Sequence, residues 1–324
     1  MIEYKAVSKL VDEWLINHSG ETFDLDLICR QLNVIERETR HFVVQKLSNE
    51  VRAEKLEKSN RIYKVLTNNI RYIDWVNSSD KDEIEIKWPF SHSDGSKFGF
   101  DGHIKVRPAD LIVVAGVSNK GKSTFCRNFL WENMDTYASR MMVNEYAPGR
   151  FKSVVSRMDW NTALREDGQP KFELIERRED WKYAIEPDSI NIVDWINLTD
   201  NFYKINVIME DIQQKLRGGI ALVVLQKSEF KEQGRGGQFS EDFASVYFVI
   251  DTNRLTVRKA KEWRGINPNG QVYGFSIVDY GAQFSNIRPI KICPHCNGKG
   301  QAYSKGGGYA ECDVCFGTGW VDKE

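Results

Sequence analysis

The sequence lacks the features that would tie it to a membrane. Its longest apolar runs, residues 111–117 and 220–225, fall far short of the ~20 residues that span a bilayer. The opening Met1-Ile-Glu-Tyr-Lys has neither the apolar stretch nor the small-residue cleavage site of an export signal, so a cytoplasmic setting is expected. An excess of charge of one sign is missing as well: 45 Lys and Arg stand against 46 Asp and Glu in 324 residues. A protein that coats nucleic acid through global basicity is thereby excluded, and any phosphate contact must come from local patches. Cysteine is scarce until the end: Cys29 and Cys126 lie in predicted helices and read as small apolar residues, while the other four crowd into the last 32 residues. Without an export signal, those four read as metal ligands rather than disulfides.

What remains is ordinary globular material, 41% apolar and 28% charged, enough for one sizeable core with smaller satellites in two or three domains. Residues 1–68 carry helical spacing over 1–18 (Val7, Leu10, Val11, Trp14, Leu15), 25–32 and 37–47, then alternation over 51–66 around Lys58-Ser59-Asn60. Three helices and a hairpin are the order of a winged helix-turn-helix. Residues 69–103 contain Ser/Asp/Gly turn clusters and read as a linker. Residues 104–290 alternate strands and helices, the sign of an α/β domain with a mostly parallel sheet. Strands are expected at 111–115, 140–145, 190–195, 220–226, 246–251, 254–262 and 272–280, and helices at 122–137, 149–159 and 201–217. A hairpin is expected at 160–177 around Glu166-Asp167-Gly168, and residues 291–324 form a separate Gly- and Cys-rich module.

The strand 111–115 runs directly into Gly116-Val117-Ser118-Asn119-Lys120-Gly121-Lys122-Ser123-Thr124, the G-x-x-x-x-G-K-S phosphate loop, with a helix behind it. Glycines let consecutive N–H groups face a phosphate, and the helix adds its positive end. Lys122 would reach the β- and γ-phosphates of ATP and Ser123 would ligate Mg²⁺. Downstream, Asp194 ends an apolar strand and suits the metal shell, or caps the strand end. Glu145 ends another strand, where it could polarise an attacking water, although strand-end glutamates are common. Gln226 closes residues 220–225 and could sense the γ-phosphate.

Together, residues 104–124, Glu145-Tyr-Ala-Pro-Gly-Arg, Asn191-Ile-Val-Asp194 and Leu225-Gln226 resemble the RecA-like core of DnaB-type replicative helicases over roughly 100–282. The resemblance implies phosphate-binding Lys122 and Ser123, a catalytic Glu145, a Walker B Asp194 and a sensing Gln226. It further implies a late-strand lysine and arginine that reach the neighbouring subunit's nucleotide in a hexamer or filament. Lys261 and Arg264 match that element with two residues between them where the family has one, and Lys259 competes for the role. A solvated basic strand edge is the plainer reading of these residues. Residues 1–68 do not resemble the family's primase-binding domain, and the stretch between Met158 and Pro187 is short. A pared-down relative of viral or mobile-element type is expected.

The loop after Gln226 carries Lys231, Arg235 and several glycines, suited to single-stranded DNA, or is a plain surface loop. In residues 1–68 the charges balance, but the wing 51–64 holds five basic residues, Lys58 among them, against two glutamates. Arg37, Arg40, His41 and Lys46 fall on the candidate recognition helix, for duplex DNA or a protein partner. In the tail, Cys293-Pro-His295-Cys296-Asn-Gly-Lys-Gly and Cys312-Asp-Val-Cys315-Phe-Gly-Thr-Gly double a C-x-x-C-x-G-x-G pattern similar to the DnaJ zinc-binding repeat. Four thiolates fill a tetrahedral, structural Zn²⁺ site, leaving His295 outside it. The resulting expectation is a Mg²⁺-dependent ATPase acting on single-stranded DNA as an oligomer in replication or recombination. The alternative is an ATP-switched adaptor that binds duplex DNA or protein without translocating.

Overall fold

The computed structural model describes residues 4–66, 76, 82–144, 148–197, 204–228, 231, 233–303 and 307–323. It divides into two compact units, residues 1–78 and 79–324. In the first, helix α1 (Tyr4–Asn17) precedes strand β1 (Thr22–Asp24), helices α2 (Leu25–Gln31) and α3 (Arg37–Arg52), and the hairpin β2 (Leu56–Ser59)–β3 (Ile62–Val65). The three strands pair in the order β1-β3-β2. Asp24 caps α2 by accepting the Leu27 N–H at 2.7 Å. Val7, Val11, Ile28, Val43 and Leu47 from the helices meet Phe23, Leu56 and Tyr63 from the strands in one core. Helix α3 runs five residues past its expected end. Its last turn is tied in by Glu50, which accepts Lys46 at 2.6 Å and pairs with Lys55 at 3.2 Å.

The second unit is built on one sheet. Its elements are β4 (Leu111–Gly116), α4 (Lys122–Asn133), β5 (Ser139–Val143), α5 (Pro148–Val155), β6 (Glu173–Glu176), β7 (Ile190–Ile196), α6 (Lys204–Lys215), β8 (Ile220–Gln226), α7 (Gln238–Phe243), β9 (Val246–Asp251), β10 (Arg254–Ala260), β11 (Val272–Val278) and β12 (Gln283–Ile292). The tail adds a hairpin, β13 (Gln301–Tyr303) with β14 (Tyr309–Glu311), and a last strand, β15 (Trp320–Asp322). The sheet order is β15-β12-β11-β10-β9-β4-β8-β7-β5-β6. From β9 to β6 all pairings are parallel, and from β9 to β15 all are antiparallel. A mostly parallel sheet with the phosphate-loop strand inside it is what the RecA-like expectation requires.

Alternate residues of β4 face two cores. Ile112 and Val114 meet Phe125 and Phe129 of α4 and an aromatic cluster of Trp88, Phe98, Phe100, Phe248 and Phe284. Leu111, Val113 and Ala115 meet Ile205, Met209 and Ile212 of α6.

Three expectations need correction. Within the expected linker 69–103, residues 82–103 are structural: Trp88, Phe98 and Phe100 are buried, and Asn133 clasps the backbone of Lys87, accepting its N–H at 2.9 Å and donating to its C=O at 2.8 Å. The hairpin expected at 160–177 is present around Glu166-Asp167-Gly168 but is confined to the antiparallel Leu164–Pro170 bridge, and residues 173–176 instead form β6, which joins β5 in parallel at the sheet edge. The expected boundary between 290 and 291 falls inside β12, onto which β15 pairs, so the tail is continuous with the sheet.

Candidate functional site

The phosphate loop is held by the sheet below it. At Gly116 a side chain would place Cβ 2.5 Å from the Ile250 carbonyl oxygen, so only glycine lets β4 and β9 approach here. Gly121, at φ 109°, turns the chain into α4, whose N-terminus faces the loop. Lys122 is 7% exposed and donates from Nζ to the Val117 carbonyl at 2.7 Å. Burial pushes its pKa down, opposed by the Asp194 carboxylate. Such an ammonium gains much from an anion brought to the loop, because desolvation has already been incurred. Ser123 donates from Oγ to Asp194 Oδ1 at 3.2 Å, which puts the two expected Mg²⁺ ligands side by side.

The parallel register levels the strand ends that carry the candidate residues. Gly116 pairs with Gln226, and Val143 pairs with Asp194. Gln226 donates from Nε2 to Ser118 Oγ at 3.4 Å, a contact between the end of β8 and the loop itself. Lys122, Ser123, Asp194 and Gln226 thus converge at the carboxyl ends of β4, β7 and β8. Val117, Asn119 and Lys120 form the outer loop, with Asn119 in the left-handed region, while Thr124 lies buried in α4. Glu145 lies outside the described residues, two positions beyond the end of β5.

A turn that sequence reasoning missed completes this face. Between β11 and β12, the Gly281 carbonyl accepts Thr124 Oγ1 at 2.9 Å and Arg127 Nη2 at 3.2 Å. Asn128 donates to the Ala282 carbonyl at 2.7 Å. Tyr280, 90% exposed, stands on this turn with the Arg157 guanidinium 5.0 Å from its ring centre. Its signal in the sequence is the Asp279-Tyr280-Gly281 triplet, whose first two residues fall inside the strand expected at 272–280.

The late-strand cations are less simply placed. Arg264 is ion-paired with Glu83, and its backbone N–H bonds the His103 carbonyl at 2.8 Å. Lys259 turns inward, donating from Nζ to the Glu241 carbonyl at 2.5 Å. Lys261 is exposed. The loop after Gln226 also differs from a loose glycine loop. Gly234 packs where a Cβ would lie 3.0 Å from Leu225 and 3.1 Å from Ala115, and its N–H bonds the Tyr247 hydroxyl. A Cβ on Gly236 would lie 2.3 Å from Ile205. Gly234 and Gly236 thus seat this part of the loop on the sheet. Lys231 is exposed and Arg235 half-buried, its N–H bonding the Gln226 carbonyl at 2.7 Å.

On α3, Arg37 and His41 are exposed, and Arg40 is ion-paired with Asp26. Lys46 leaves the candidate recognition surface: it is half-buried between Asp12 at 2.8 Å and Glu50 at 2.6 Å. Lys58 on β2 places its ammonium 5.0 Å from the Tyr63 ring centre.

The four tail cysteines are buried, and their sulfurs lie within 4.8 Å of one another. Cys293 and Cys312 are 3.9 Å apart and Cys296 and Cys315 3.6 Å, against about 3.8 Å between thiolates in a tetrahedron with Zn–S near 2.3 Å. The donor set therefore fits Zn²⁺ and is not arranged as disulfides. Gly319 donates its N–H to Cys315 Sγ at 3.2 Å. Glycine is required twice behind the knuckles: a Cβ at Gly300 would lie 2.3 Å from the Gly317 carbonyl, and one at Gly319 2.4 Å from that of Gly298. His295 sits half-exposed beside Cys312 and Asp313.

No protein-family model matches this chain, and no curated protein does. Among solved structures, a KaiC-like protein from the hyperthermophilic archaeon Pyrococcus horikoshii is similar at 15% identity and a TM-score of 0.48, over 64% of this chain and 99% of that one.

Proposed function

We propose that this chain is a Mg²⁺-dependent ATP hydrolase with a RecA-like core of the DnaB type, working as an oligomer on single-stranded DNA. The observation that carries the reading is the convergence of Lys122, Ser123, Asp194 and Gln226 at level strand ends around one phosphate loop. In this reading Lys122 leaves the Val117 carbonyl for the β- and γ-phosphate oxygens. The loop N–H groups from Ser118 to Ser123 hold the remaining oxygens. Ser123 Oγ and the Asp194 carboxylate would hold Mg²⁺. Bound there, the ion neutralises charge on the transferring phosphoryl group. Glu145 takes the proton of the attacking water. Gln226 exchanges its bond to Ser118 for the γ-phosphate and passes the change into the loop carrying Lys231 and Arg235, which grip the polymer. Tyr280 offers a ring for the base of the nucleotide.

Lys261, and Arg264 once parted from Glu83, would complete the neighbouring subunit's site. Residues 1–68 serve as a winged-helix module for duplex DNA or protein, with Arg37, Arg40 and Lys58 toward a duplex. The tail is a structural zinc module.

Phosphate release from ATP, measured with and without oligothymidylate, tests this reading. Mg²⁺-dependent turnover stimulated by the oligonucleotide is expected. Turnover without stimulation would make the chain a nucleotide switch rather than a motor, and the absence of turnover would remove the hydrolase reading.

A further inference from the structure

A second cleft, of about 500 Å³, opens beside the phosphate loop. Lys120 of the loop lines it, with Asn253 and Arg254 from the β9–β10 turn, Ser276 of β11, Arg288 of β12 and Trp320 of the tail. Gly274 and Ser276 line the cleft, while the Phe275 side chain packs in the aromatic cluster against α4. It therefore lies across the sheet from the helix that carries Ser123 and Thr124; it borders the phosphate loop at Val117 and Lys120, and none of Lys122, Ser123, Asp194 and Gln226 lines it.

The cleft is built rather than incidental. Asp251 at its base takes two cations: the buried Lys227 ammonium at 2.5 Å and the Arg254 guanidinium at 2.9 Å. Arg254 in turn stacks over Trp320, 4.5 Å from the ring centre. Arg288 is matched by Asp322 at 2.6 Å. Against these two carboxylates stand three lining cations, Lys120, Arg254 and Arg288, with the buried Lys227 behind Asp251, so the cleft carries an excess of positive charge. A guanidinium stacked on an indole offers a planar face to a nucleobase, and the side-chain amides of Asn253 and Asn286 at the rim offer both donors and acceptors to its edge. The volume suits one nucleotide unit.

We infer that this cleft binds a nucleotide unit of single-stranded DNA, its phosphate against Lys120 and Arg254 and its base against the Arg254–Trp320 stack. The inference rests on the single-strand reading proposed above and adds a contact that the loop after Gln226 does not supply. The occupant would be felt in the phosphate loop through Lys120. It would also be felt at the sensing strand through Asp251 and Lys227, whose N–H bonds the Gly116 carbonyl at 3.0 Å.

Asn253→Asp tests the charge requirement with almost no change of shape. Asn253 is exposed at φ 54°, a conformation that aspartate also tolerates. Affinity of the full chain for fluorescein-labelled oligothymidylate should fall about tenfold, with a shallower salt dependence and unstimulated ATP hydrolysis unchanged. Trp320→Ala should weaken the same affinity about tenfold. An oligonucleotide carrying 5-iododeoxyuridine should photocross-link to the peptide containing Trp320. If the wild-type chain binds the oligonucleotide but both variants bind it equally and the adduct maps elsewhere, the inference is overturned and the motor reading stands. If the wild-type chain binds no oligonucleotide, the single-strand reading falls and this inference with it. Protection of Trp320 by thymidine monophosphate without any oligonucleotide adduct would assign the cleft to free nucleotides and overturn the polymer assignment.

Discussion

The two halves of the ten-stranded sheet are built on different terms. From β9 to β6 the strands run parallel, and β4 and β9 between them are buried on both faces at almost every position. From β10 to β15 they run antiparallel, with buried and accessible positions interleaved. The parallel half places Lys122, Ser123, Asp194 and Gln226 at strand ends that share one level. The antiparallel half supplies clamps and surfaces: the 279–281 turn on α4, the Arg254–Trp320 stack and the tail. The difference teaches that a sheet covered on both faces fixes the candidate reacting groups, whereas a half-exposed sheet leaves room for ligands and neighbours.

The largest effect should fall on the antiparallel half. Cys312→Ser should strip the tail of its metal, a site worth on the order of 10 kcal/mol in comparable small modules. Metal analysis of the purified variant should find no zinc, and β15 should lose hydrogen-exchange protection while β4 keeps it. Retained zinc at full stoichiometry would break the assignment of the four thiolates.

Lys122→Ala should then act only on the parallel half, lowering phosphate release by about a thousandfold or more without shifting thermal unfolding downward. Glu145→Gln should match it in turnover yet still bind ATP, as read by a fluorescent ATP analogue. Turnover retained by Glu145→Gln would take that residue out of the mechanism.

Much of the parallel half was legible because its strands are short unbroken apolar runs. Residues 111–115 and 220–226 were read within a residue of where β4 and β8 lie, and the glycine spacing marked the phosphate loop between strand and helix. The antiparallel half was harder. In β12, Asn286 sits at φ 52° and Pro289 interrupts the alternation, so no period emerges over those ten residues. The 279–281 turn is held by bonds to α4 more than 150 residues earlier. Residues 82–103 read as a linker because Ser/Asp/Gly clusters surround their aromatics, yet Trp88, Phe98 and Phe100 are core. Gly234 and Gly236 read locally as loop glycines, while the structure packs them where a Cβ would meet Ala115, Leu225 and Ile205. Distant partners decided each of these, and local pattern carries no record of distant partners.

A smaller effect separates the halves by stability. Ile112→Ala in β4 removes a fully buried side chain and should cost about 2–5 kcal/mol, measured by urea unfolding. Ile292→Ala at the end of β12, where the side chain is 52% exposed, should cost less than about 0.5 kcal/mol. Comparable losses at both would erase the contrast.

The smallest effect is a pH slope. Burial pushes the Tyr273 phenol of β11 up to about 12. Its folded pKa lies above the ordinary tyrosine value near 10, so its contribution is intact below that value and is lost as pH rises toward 12. Tyr273→Phe should flatten the alkaline fall in unfolding free energy over that window. An unchanged slope would assign it to other groups.

The last strand has a consequence for solubility. β15 contributes only Trp320, Val321 and Asp322, but those residues cover the outer rim of β12 at Ile290, Lys291 and Ile292. Anything that dissolves the cysteine knuckles would bare a row of unsatisfied amides and carbonyls next to the half-exposed Ile292 side chain, a template for pairing between molecules. A chain starved of metal should therefore reveal itself first by aggregating, before its nucleotide chemistry has failed.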